Sequence, residues 1–165
     1  MIREISLETR RLTVRTLTYR DVNVGYRNWL LNPSVGQFLV DKSAFGGWAS
    51  LIKYFERTYS DPNVFFLSIS LNGFGQIGTL KIYNFNAELK SAYIGIMIGE
   101  IQFRKMGLAQ EAISVVLEYC VNELDVRHFY AGIDKANLSS IELFRKLGFQ
   151  TVDDGVVLCK KTFAA

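Results

Sequence analysis

The sequence predicts an α+β fold in which helices cover a mixed, mostly antiparallel sheet, and three observations carry that expectation. Two β-rich runs, 64–71 and 76–83, flank Asn72-Gly73, a strong hairpin signal. In the second half, helical periodicities alternate with short strand patterns, which brings in parallel neighbours late. Finally, 49% of the 165 residues are apolar, and no repeat, low-complexity tract or linker interrupts them, so 1–165 reads as one domain.

Leu12, Val14 and Leu17 alternate with polar neighbours, which predicts a first strand over 7–17. Val22, Tyr26, Trp29 and Leu30 recur at helical spacing over 21–31, and Asn32-Pro33 ends that helix. Leu51, Ile52, Phe55 and Tyr59 give a second helix, 48–59, one apolar face, and Asp61-Pro62 closes it. After the hairpin, 84–90 reads as a polar loop and 91–98 as a third strand. That strand sets Ile94, Ile96 and Ile98 against Tyr93, Gly95 and Met97 on opposite faces. Gly95 and Gly99 weaken it and mark a bulge or a close approach to the backbone. A long helix opening at Arg104-Lys105-Met106-Gly107 carries Leu108, Ala112, Val116 and Cys120 on its apolar face. A buried-type strand over 128–133 follows, then a helix with capping-box spacing at Ser139 and Glu142 that Gly148 ends, then a last strand over 156–160.

Composition excludes several classes. Nineteen Lys and Arg against 16 Asp and Glu leave a charge of +3 without a basic run, which argues against nucleic acid and suits a small anionic ligand. The charged opening stretch reads as neither leader nor membrane anchor, and no apolar run approaches the roughly 20 residues of a spanning helix. A cytoplasmic protein without membrane partners is expected. His128 is the single histidine, so with two distant cysteines no metal is expected. Cys120 and Cys159 read as reduced core residues, His128 as an ordinary strand histidine, and Arg10, Arg11 and Arg15 as a solvated face.

The chemistry is expected where the glycine-thinned strand runs through a basic loop into the long helix. A helix start presents unpaired N–H groups and about half a positive charge, so a phosphate is favoured there. Arg104 and Lys105 add charge, and Gly107 lets the chain pass close to an anion. The loop is neither a nucleotide-triphosphate loop nor a dinucleotide fingerprint, because both glycine patterns are absent.

Arg104-x-x-Gly107-x-Ala109 resembles the Gln/Arg-x-x-Gly-x-Gly/Ala signature of the GNAT superfamily of acetyl-coenzyme A-dependent N-acetyltransferases. The segment from Asn137 through Ser140, Phe144, Lys146 and Gly148 to Phe149 is similar to the family's downstream motif, and Glu8 to Leu17 with Asp21 resembles the opening of its Rim-type branch of ribosomal-protein N-acetyltransferases. The resemblance implies the GNAT fold, with six to seven strands flanked by about four helices. It implies that Ile96, Met97 and Ile98 pair through their backbone with pantetheine as an added strand. The amides of Arg104, Lys105, Met106, Gly107, Leu108 and Ala109 would then hold the pyrophosphate. Asn137 would bond the pantetheine, Ser140 would sit beside the thioester sulfur, and Phe144 stands where many members place a proton-donating tyrosine.

Relatives often carry a glutamate where this sequence has Tyr93, so Tyr93, Glu100, Asp134 or a water chain is left to take the amine proton. Trp29, Phe38, Phe45 and Trp48 either cover the sheet or frame the acceptor pocket, as that region does in the family. Asn137 and Ser140 also suit a plain helix cap. The implied activity is direct acetyl transfer to a primary amine, either a protein N-terminus or a small-molecule amine such as an amino sugar, by a monomer or homodimer. The alternative is a non-catalytic acyl-coenzyme A sensor, motivated by Phe144 and Tyr93.

Overall fold

The computed structural model describes residues 4–39, 41–153 and 157–164, with the side chains of 153 and 157–159 left aside. Residues 1–3, Val156 at the expected start of the last strand, and the Cys159 side chain lie outside the described residues. Eight strands form one sheet: β1 (Ser6–Glu8), β2 (Leu12–Thr16), β3 (Phe65–Leu71), β4 (Gly75–Asn86), β5 (Ser91–Ile98), β6 (His128–Ile133), β7 (Gln150–Asp153) and β8 (Val157–Thr162). Their order is β1-β2-β3-β4-β5-β6-β8-β7, antiparallel throughout except for the parallel pair β5 and β6. The helices are α1 (Val24–Leu31), α2 (Pro33–Gly36), α3 (Trp48–Ser60), α4 (Leu108–Glu123) and α5 (Leu138–Lys146).

The α+β class and the three-strand antiparallel set hold, with corrections in detail. Eight strands stand where six to seven were expected, because the first strand is a hairpin and Gln150–Asp153 pairs with β8. The hairpin turns at Thr9, whose N–H donates to Leu12 O at 2.8 Å while its hydroxyl accepts from the Leu12 N–H at 2.9 Å. A local side-chain bond thus replaces extension. The strand β4 runs to Asn86, so the expected loop 84–90 is shorter. The helix α5 opens at Asn137 rather than at the expected Ser139, since Asn137 Oδ1 accepts the Ser140 N–H at 3.2 Å.

The first helix starts at Val24 rather than Asp21 because the Asp21 side chain is already committed. Its oxygens accept from Thr18 N at 2.7 Å and from both Arg15 terminal nitrogens at 2.8 Å. Arg15 is therefore not merely solvated. Burial raises the Asp21 carboxyl, but hydrogen bonds from Arg15 and Thr18 outweigh that and hold it below its ordinary value. Its stabilisation is full above the unfolded value of 3.8 and is lost as pH falls through the lower folded value. Asp21→Asn is expected to cost about 2–3 kcal/mol in denaturant unfolding at neutral pH and to flatten this acid limb. An unchanged midpoint would show that the pair contributes nothing.

Two apolar clusters flank the sheet. One packs α4 and α5 on Leu12, Leu67, Leu80, Ile94 and Phe129. The other packs α1 and α3 on Phe66 and Met97 through Tyr26, Trp29, Tyr54 and Phe55. Cys120 is 1% exposed in the first cluster, and burial pushes its thiol up to about 12, so this cysteine is a core residue.

Candidate functional site

The sheet opens between β5 and β6. Their parallel ladder joins Ser91 to His128, Ala92 to Phe129 and Tyr93 to Tyr130, then stops. Beyond it, β5 stays with β4 as far as Ile98, and β6 stays with β8 as far as Ile133. The rings of Tyr93 and Tyr130 stack at 5.2 Å where the strands part, with Tyr83 beside Tyr93 at 5.5 Å. The Gly99 N–H donates to Ile77 O at 2.9 Å. By alternation, the backbone groups of Met97 face β4 and those of Ile96 and Ile98 face the gap. The Ile98 carbonyl is turned that way, accepting from Arg104 Nε at 3.1 Å and Nη2 at 3.0 Å.

At the mouth of the gap the chain turns twice through left-handed backbone, at Lys105 (φ 63) and Gly107 (φ 77), before entering α4. No side chain caps α4, so the amides of its first turn stay available. Alternating backbone hands of this kind turn successive N–H groups inward and form an anion cradle.

Sequence reasoning missed what holds this turn. Glu111 accepts from the Thr9 hydroxyl at 2.6 Å, Arg11 N at 3.1 Å and Arg11 Nε at 2.7 Å, while Arg11 Nη1 donates to Met106 O at 3.0 Å. Burial raises the Glu111 carboxyl, and the bonds from Thr9 and Arg11 overcome it, leaving it lowered. Arg11 therefore ties the β1–β2 turn to the start of α4 rather than lying on a solvated face.

Arg104 spends its guanidinium on Ile98 O and on Ser34 O, the latter at 3.0 Å, linking β5 to α2. Lys105 and Met106 are exposed, Ala109 is half-buried and Leu108 is 2% exposed in the core. Asn137 caps α5. Ser140 is half-buried, and its hydroxyl hydrogen-bonds to no described residue. Phe144 is 3% exposed and packs edge-on against Phe149 at 5.0 Å.

On the face of Tyr93, Gly95 and Met97, the structure joins two of the expected residues: Trp29 Nε1 donates to Glu100 Oε1 at 2.8 Å. Trp29 is buried flat over Gly99, whose missing β-carbon would overlap the indole, so what approaches Gly99 is Trp29. Phe38 is half-buried, and Trp48 is 44% exposed with the Arg27 guanidinium 5.7 Å from its ring. Among the described residues no hydrogen bond connects Ser140, Tyr93 and Glu100, and the carboxylate of exposed Asp134 accepts from Ala136 N at 2.8 Å within its own turn. On the same face Lys81 Nζ donates to the Tyr54 hydroxyl. Its position within the apolar alternation of β4 was the available signal.

The model of the acetyltransferase (GNAT) domain matches residues 11–150. An N-acetyltransferase 9-like protein of Nematostella vectensis is 36% identical over 80 residues, 48% of this chain and 40% of that protein. The matched part thus spans under half of that relative's length. A domain from Methanocaldococcus jannaschii superposes with a TM-score of 0.79 at 21% identity, covering 96% of this chain and all of that one. RimJ of Mycobacterium smegmatis, solved in complex with CoA-disulfide, superposes with a TM-score of 0.75 at 19% identity over 92% of this chain and 81% of its own.

Proposed function

The chain belongs to the acetyltransferase (GNAT) domain family, and on that premise we propose that it transfers an acetyl group directly from acetyl-coenzyme A to a primary amine. The observation that carries this reading is the parting of β5 from β6 just ahead of an uncapped helix start reached through two left-handed residues. The residues present fit the donor. Backbone groups of Ile96 and Ile98 lie along an edge that no described strand takes beyond Tyr93, which suits an extended amide-bearing arm. The amides after Lys105 suit a diphosphate.

When bound, acetyl-coenzyme A supplies an activated acyl group and a thiol leaving group with an ordinary pKa near 8.5. The residues around the gap supply the rest. The turn at Lys105 and Gly107 holds negative charge without spending a side chain, since the Arg104 guanidinium is already engaged. Ser140 carries a hydroxyl free to donate a proton toward a departing thiolate, a contribution of roughly 10²–10⁴-fold for positioned acid–base groups. Tyr93 and Glu100 are the groups on the acceptor face that take the amine proton, directly or through water. Glu100 is oriented for this by Trp29. An acyl-cysteine route through Cys120 is disfavoured, because its thiol is buried and pushed up to about 12.

Calorimetric titration with acetyl-coenzyme A and a thiol-release assay over a panel of amines test the proposal. Micromolar binding with amine-dependent thiol release is expected. No binding at high micromolar concentration removes the basis of the reading, and tight binding without turnover of any amine marks a sensor instead.

A further inference from the structure

We propose that Lys81 is a specificity-determining cation that selects an acceptor amine bearing a carboxylate, an inference that rests on the acetyl-transfer reading and names its substrate class. Lys81 stands on β4 directly opposite Gly95 of β5 and Phe66 of β3, on the face covered by α1 and α3. Gly95 belongs to the strand that borders the gap, so Lys81 is one strand spacing, about 5 Å, from that strand. With no side chain on Gly95, the sheet surface there is left to whatever lies over it, and Tyr83 is its nearest neighbour.

The charge balance around Lys81 is incomplete. Its ammonium sits 4.5 Å from the centre of the Tyr54 ring and 4.9 Å from that of Phe66, and it donates to the Tyr54 hydroxyl. Arg57 lies 5.8 Å over the same Tyr54 ring. Among the described residues one carboxylate, Asp41, acts on both cations, and it is committed to Arg57 at 2.6 Å and to the hydroxyl and N–H of Ser43 at 2.6 and 3.0 Å. No ion pair within 4.0 Å joins Lys81 to any described residue. Two cations therefore share one spent anion in a site where an unpaired buried charge is costly. Burial accordingly lowers the Lys81 ammonium to about 8, with Arg57 adding to the fall and Asp41 opposing it. Next along the same face, the Ser68 hydroxyl is fully buried and unpartnered among the described residues. A carboxylate entering from the acceptor side supplies the missing charge and an acceptor for both groups.

The test uses matched amines that differ only in charge: peptides starting with Asp or Glu against Asn or Gln, and amino acids against their carboxamides. In the intact protein the charged member of at least one pair is expected to have kcat/KM about 10- to 100-fold higher, expressed mainly in KM, as for a hydrogen bond to a charged group. Lys81→Met erases that preference while leaving kcat/KM for the neutral member within a few-fold, and Lys81→Arg restores part of it. In the intact protein the preference declines above pH about 8, where the ammonium loses its proton. Equal rates for both members in every pair overturn the inference, as does an equal loss on both members in Lys81→Met, which marks a packing role. If acetyl-coenzyme A binds and other amines are acetylated but no pair reacts, the inference fails alone. If acetyl-coenzyme A does not bind, the underlying activity fails with it.

Discussion

In calorimetric titrations, Gly107→Val is expected to weaken acetyl-coenzyme A binding about 30-fold or more, while costing only about 1–2 kcal/mol of stability. The asymmetry follows from what each state loses. Gly107 has φ 77, a region that a β-branched residue enters only under strain, yet a β-carbon there would meet nothing closer than Arg11 Nη2 at 3.6 Å. The folded protein therefore pays mainly for backbone strain. Relieving that strain rotates the amides at the start of α4 away from a common centre, and each amide bond to a charged group is worth about 1.5–3 kcal/mol. Gly73→Val is the control, because Gly73 has φ 79 at the tip of the β3–β4 hairpin with open space around it. It should show a similar loss of stability and unchanged affinity. Equal affinities in both variants would mean that the diphosphate is not held at this turn.

Gly99→Ala is expected to produce the largest stability loss, about 3–5 kcal/mol, read as a lowered denaturation midpoint with an unchanged slope. The added methyl would occupy the volume of the Trp29 indole, a rigid ring buried in the second apolar cluster. Moving the indole also breaks its bond to Glu100, so turnover should fall further than the folded fraction accounts for. A double variant separates the causes. Trp29→Leu combined with Gly99→Ala should be less destabilised than the sum of the singles, because the clash disappears with the ring. Strict additivity would show that the two positions do not meet. Trp29→Phe, which removes the indole N–H but keeps an aromatic ring, isolates the orientation of Glu100.

Most of the element order was legible in the sequence because it is written in local patterns. Composition rich in Phe, Ile and Val marked β3, period-2 alternation marked β4 and β5, helical spacing marked α3 and α4, and Asn72-Gly73 marked the hairpin. Errors arose where a side chain competed with the backbone. Thr9 turned an expected strand into a hairpin, Asp21 delayed the first helix, and Asn137 capped a helix expected to begin at Ser139. Each of these is a side-chain hydrogen bond spanning two or three residues, which hydrophobic periodicity does not register.

The candidate site divides in the same way. The basic, glycine-containing start of α4 was visible in the sequence because a helix terminus and a left-handed turn are local properties of a short segment. No local pattern marks the gap, which only the family resemblance implied, since it depends on β5 and β6 pairing for three residues and then separating, with 29 residues of chain between the two strands. Gly99 shows the difference most clearly. Its sequence signal, a close approach to the backbone, was correct, but the group that approaches is Trp29 from α1, some 70 positions earlier in the chain. Likewise, Arg11 on Glu111 and Lys81 on Tyr54 join residues that only the closed sheet and its covering helices bring together.

The sequence by itself determined the fold class, the main elements and the glycine-containing turn into α4, because these follow from spacing and backbone preference within one or two turns of chain. Only the tertiary structure decided where the sheet parts, which charges are spent on neighbours and which stay unmatched. Those outcomes depend on burial and on contacts between distant segments, and no local pattern specifies them.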